Sequence, residues 1–148
     1  MNVFVSYGEI NRIISQKTNC LITICYESRD CFKVTYIHKI KIPFVGEISK
    51  DVSVVFSFYE VSLQKIVLLN RTSGIVNVVM DVLITIVVKI MQSLIPSVTS
   101  LSNKVSYSDG KLSIKIGEVF ELDSLSKKIE LNKVAVENDG FNIHTIIK

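Results

Sequence analysis

Residues 75–95 read IVNVVMDVLITIVVKIMQSLI, the most apolar stretch of the chain. Its length equals the roughly 20 residues that cross a bilayer. Asn77, Asp81, Thr85, Lys89 and Gln92 interrupt it. An Asp or a Lys near the centre of a span costs about 2.5–3.5 kcal/mol, which offsets several Leu or Ile residues. The flanks lack a Lys/Arg asymmetry, so no transmembrane span is expected. The polar residues 77, 81, 85 and 89 recur every four positions and form one stripe down a helix, leaving most of the circumference apolar. Gly74 before the stretch and Pro96 after it suit helix ends. The even positions from Val76 to Ile90 are also all apolar, which fits a strand buried on one face. Strands usually run 3–10 residues, so the helix is the preferred reading.

A helix this apolar needs cover on nearly every side, and the remaining sequence supplies strands to provide it. Val and Ile dominate the aliphatic residues, and β-branched side chains favour sheets. Residues 8–17, GEINRIISQK, predict a short helix with Ile10, Ile13 and Ile14 on one face. Leu21 to Tyr26 reads as a strand, and 27–31 as a polar turn. Then Val34, Tyr36, His38, Ile40, Ile42 and Phe44 alternate along one face until Pro43 ends, bulges or edges the strand. Val52, Val54, Phe56 and Phe58 share a face. Val61, Leu63 and Val67 take the opposite parity, so a bulge, bend or turn is expected near Tyr59-Glu60. Asp109-Gly110 and Asp139-Gly140 each sit between alternating runs and predict hairpins whose two central residues have φ > 0.

The expected architecture is therefore α+β in one domain over 1–148. A short N-terminal helix precedes a highly curved antiparallel β-sheet wrapped around one long apolar helix. The apolar space between them is assigned to Phe56, Phe58, Met80, Leu83, Val87 and Met91 as candidate ligand-binding residues. Phe44 and Tyr59 join Phe56 and Phe58 as aromatics that would line a pocket or sit in the core. The polar stripe reads as the solvent side of the helix, or as a polar seam beside a ligand tunnel or partner.

No residue pattern names a reaction. The chain lacks G-x-S-x-G, H-E-x-x-H, P-loop and G-x-G-x-x-G motifs, so no enzyme and no cofactor are expected. Cys20, Cys25, Cys31 and His38 are spaced more widely than zinc knuckles, and no metal is assigned to them. His38 and His144 read as structural strand residues. Seventeen basic against fourteen acidic residues leave a net charge of +3, spread along the chain. A nucleic-acid binder would cluster it on one face, so no nucleic acid is expected. Three cysteines do not close a disulfide framework. The start, MNVFVSYGEINRI, has no basic region followed by an apolar one. A cytoplasmic location is expected, and any release from the cell would use a non-classical route.

Three stretches carry a family resemblance. YGEINRIISQK resembles the short opening helix of bacterial half-domains of the TULIP, or tubular lipid-binding, superfamily. IVNVVMDVLITIVVKIMQSLI resembles their long helix, and KKIELNKVAVENDGFNIHTI their closing strands. Size and the Ile/Lys/Ser/Asn-rich style resemble the small OrfX-type proteins encoded beside clostridial botulinum neurotoxins. The resemblance implies a non-enzymatic toxin-cluster accessory protein that contacts lipid and pairs with a larger TULIP protein. It supplies no catalytic residues. The rival expectation is a structural subunit without ligand, its apolar surface buried in a homo- or hetero-oligomer.

Overall fold

The computed structural model describes residues 1–18, 22–72, 77–94 and 103–148. Its elements are β1 (Asn2–Ser6), α1 (Tyr7–Thr18), β2 (Ile22–Ser28), β3 (Cys31–Ile42), β4 (Gly46–Val61) and β5 (Ile66–Asn70). They continue with α2 (Asn77–Leu94), β6 (Val105–Ser108), β7 (Lys111–Ile114), α3 (Ile116–Val119), α4 (Asp123–Ser126), β8 (Ile129–Val136) and β9 (Gly140–Ile147). The class is α+β, and every strand pairing among the described residues is antiparallel.

The strands form two sheets rather than the one expected. One has the order β1-β9-β8, the other β2-β3-β4-β5-β7-β6. The difference originates at the chain start. Asn2 to Ser6 pairs with Gly140 to His144, so the closing hairpin joins the opening residues instead of extending the main sheet.

Local chemistry explains most elements. Ser6 caps α1, its Oγ accepting the Glu9 backbone N–H at 3.1 Å. Asn11 docks α1 onto β2: its amide donates to the Ile24 carbonyl at 3.1 Å and its Oδ1 accepts the Ile24 N–H at 2.7 Å. Ile14 on α1 is buried and Ile10 packs on the core, whereas Ile13 is exposed, so the inward face is narrower than its three isoleucines suggested. The phase switch near Tyr59 is a bulge within one long strand. The register of β4 against β5 jumps between Phe58 and Glu60.

The two Asp-Gly pairs do different work. Asp109 (φ 52°) and Gly110 (φ 75°) form the expected two-residue turn between β6 and β7. Neither Asp139 nor Gly140 has positive φ. Gly140 is instead needed for close approach, because a Cβ there would lie 2.2 Å from the Val5 carbonyl oxygen. Pro43 ends β3, and Pro43-Phe44-Val45 turns the chain into β4. Phe44 has φ 69°, a left-handed conformation costing about 1–2 kcal/mol for an ordinary L-residue.

α2 spans Asn77–Leu94 as a helix. Its flanking Gly74 and Pro96 lie outside the described residues. Met80, Leu83, Ile86 and Met91 are buried in the core, while Asp81, Thr85, Lys89 and Gln92 are exposed. The stripe at four-residue spacing is therefore the helix's solvent side over these positions. No described helix is long and apolar enough to cross a membrane.

An aromatic cluster bridges the two sheets. Phe141 of β9 meets Phe32 edge-on at 5.1 Å, Phe58 at 5.5 Å and Tyr7 at 5.2 Å. The Tyr7 hydroxyl donates to the Glu137 carbonyl at 2.6 Å. Burial raises its pKa above the ordinary value.

Candidate apolar-ligand site

The inner faces of β2, β3, β4, β5 and β7 present Ile24, Phe32, Val34, Phe56, Leu68 and Leu112 toward the helices. α1 contributes Ile14, and α2 contributes Leu83, Ile86 and Val87. Between them lies a cavity of about 130 Å³ lined entirely by aliphatic and aromatic side chains. Its walls offer no charge and no side-chain hydrogen bond. Apolar cavities of roughly 150 Å³ stay dry and accept benzene or xenon, so this volume suits a small ring or the tip of an alkyl chain. Such walls can offer an occupant only shape and the hydrophobic effect.

Phe56, Leu83 and Val87, expected from the sequence, meet on this cavity. Phe56 reaches it from the sheet, and Leu83 and Val87 from one side of α2. Met80 and Met91 are buried in the same core without lining the space. Phe58 is displaced toward the aromatic cluster, 5.4 Å from Phe32. Phe44 and Tyr59 do not line it, because both are exposed. Lys111 sits 4.1 Å over the Tyr59 ring.

Ile14, Phe32, Leu68 and Leu112 line the cavity and were not assigned to it from the sequence, which placed Ile14 only on the apolar face of α1. A signal existed for Phe32, which continues the Val34–Tyr36 alternation backward by two. Leu112 had a weaker one, the alternation on either side of Asp109-Gly110.

A larger cleft of about 440 Å³ is polar. Asp30, Ser57, Tyr59, Arg71, Asn132 and Lys133 are among its lining residues. Arg71 Nε donates to the buried Ser57 hydroxyl at 3.0 Å. Cys25 and Cys31 are free thiols, half-buried on β2 and β3, and Cys20 lies outside the described residues. His38 and His144 stand in different sheets. Among the described residues, no three His, Cys, Asp or Glu side chains gather to hold a metal.

No protein-family model, curated protein or solved structure matches this chain.

Proposed function

We propose that this chain is a non-enzymatic binding protein of the TULIP type, its six-stranded sheet curling around α2 to hold a lipid-like apolar ligand. The reading rests on one observation: Phe56 from the sheet and Leu83 and Val87 from the helix converge on a wholly apolar cavity. A cavity of this size takes the end of a chain, and a larger TULIP protein or a second copy would complete a longer tube. Native mass spectrometry of protein purified without detergent tests the reading. Lipid-sized adducts are expected, and Val87→Phe, which fills the space, should remove them. Adducts that survive the filling substitution, or protein bare from every preparation, would refute the site.

A second reading has its own support. The three-stranded sheet leaves Val3, Phe4, Ile146 and Ile147 exposed, as an interaction subunit would. A stable oligomer without adducts in the same spectra would favour it.

A further inference from the structure

Two bulges in different sheets open onto the same cleft. The register of β4 against β5 skips Tyr59, and the register of β8 against β9 skips Asn132. A bulge leaves the extra residue out of its ladder and re-aims its side chain. Tyr59 and Asn132 both line the cleft of about 440 Å³. That volume falls within the roughly 300–1,000 Å³ usual for small-molecule sites. Both strands also carry an unpaired edge here. β3 follows β4 no further than the Cys31↔Ser57 pair, and β8 is the outermost strand of its sheet. Among the described residues no backbone hydrogen bond joins β4 to β8.

One cation of the cleft is anchored. Arg71 follows β5, and its backbone N–H donates to the Val55 carbonyl at 2.7 Å. Next to it, Thr72 Oγ1 accepts the Val55 N–H at 2.6 Å, and the Thr72 N–H donates to Asn70 Oδ1 at 2.8 Å. The guanidinium is oriented by its Nε–H, which donates to the hydroxyl of Ser57 at 3.0 Å. Ser57 is only 6% exposed, the most buried polar residue among those described. This bond uses one of five N–H donors and leaves the two terminal amino groups, a fork that matches a carboxylate or a phosphate. Arg71 and Lys133 have no ion pair among the described residues. Asp30 is the only carboxylate among the described lining residues, and it lies 3.9 Å from Arg29. The cleft therefore favours negative charge, and an arginine already held in place loses little freedom when it binds.

The rest of the lining says what the charge is attached to. Phe58, Val61, Val134 and Val136 supply apolar wall, and the Tyr59 ring is 58% exposed. A bare inorganic ion would leave these surfaces unused. We infer that the cleft binds a small organic anion, a phosphate ester or a carboxylate, whose head takes the Arg71 fork and whose apolar body lies against Tyr59 and the valines. The inference does not depend on the apolar cavity holding a ligand, since the two spaces share no lining residue.

Arginine side-chain NMR of the full chain tests it, because the sequence has three arginines, Arg12, Arg29 and Arg71. Titration with phenyl phosphate or benzoate should shift the Arg71 Nε–H saturably and leave that of Arg12 unmoved. The tighter of the two assigns the head as phosphate ester or carboxylate. Arg71→Gln should weaken binding about ten-fold or more. Arg71→Lys keeps the charge without the fork and should fall between. Arg12→Gln, on α1 away from the cleft, should bind like the wild type. Benzyl alcohol, a neutral ring, and inorganic phosphate, a bare ion, should each bind about ten-fold more weakly than the better organic anion. No saturable Arg71 shift with either organic anion overturns the inference, as does undiminished binding by Arg71→Gln or Arg71→Lys. Equal binding of benzyl alcohol overturns the role of charge, and equal binding of inorganic phosphate overturns the role of the apolar wall.

Discussion

The inner and outer ends of the β3–β4 ladder share one alternation and meet opposite fates. At the inner end Phe32 faces Phe56 and Val34 faces Val54, and Phe32, Val54 and Phe56 are at most 4% exposed. At the outer end Ile42 and Ile48 remain more than a third exposed. The strands are continuous, so backbone pairing does not cause the difference. α1 and α2 roof the inner end, and no described element covers the outer one. Alternation therefore marks a face, and whether that face is buried depends on elements elsewhere in the chain.

Paired substitutions sharpen the contrast. The largest expected effect is Leu83→Asp, which places a charge beneath the roof. Its cost should exceed the whole stability of such a domain, about 5–15 kcal/mol. Circular dichroism should then show no cooperative melt, while Ile48→Asp at the outer end should melt within about 0.5 kcal/mol of the wild type. A cooperative melt for Leu83→Asp would mean that the helix faces the other way. Phe56→Ala should cost about 3–5 kcal/mol by denaturant titration, whereas Phe44→Ala should be close to neutral. Equal losses would erase the distinction between the two ends.

The two Asp-Gly sites allow a similar comparison at smaller magnitude. Gly140→Ala should cost about 2–3 kcal/mol, because its Cβ meets the backbone of β1. At Gly110 a Cβ meets nothing within 4 Å, so Gly110→Ala carries only the left-handed backbone cost, about 1–2 kcal/mol. The reverse order would place the tight approach elsewhere.

The smallest effect is confined to alkaline pH. Burial holds the Tyr7 phenol above its ordinary value of 10.0, so folding favours the neutral hydroxyl. This contribution is complete below pH 10 and is lost as pH rises through the folded value. Thermal melts should therefore fall above about pH 10 in the wild type and fall less in Tyr7→Phe. Tyr7→Phe should also lose about 1 kcal/mol at neutral pH with its hydrogen bond to Glu137. Parallel alkaline decline in both proteins would mean that another group dominates.

Features set by neighbouring residues were legible in the sequence. The bulge at Tyr59, the turn at Asp109-Gly110 and the solvent stripe of α2 all depend on chemistry within a few positions. The division into two sheets was not legible, because β1 and β9 pair across nearly the whole chain and each strand alone would suit either sheet. At Asp139-Gly140 the expected hairpin forms between β8 and β9, but neither residue has positive φ. The neighbour of Gly140 in space is Val5, a distant contact that the local turn pattern does not encode. At the cavity, parity along β4 and spacing along α2 identified Phe56, Leu83 and Val87. Ile14 and Leu112 reach it from elements whose relative placement no local pattern encodes.

The most direct test of the central claim, an apolar cavity beneath the helices that takes a ligand, is a methyl NMR titration with benzene. Saturable shifts are expected at Leu83, Val87 and Leu112, with the methyls of Val45 and Ile48 unmoved. No saturable shift at those three residues, or shifts confined to the outer end of the β3–β4 ladder, would contradict the claim.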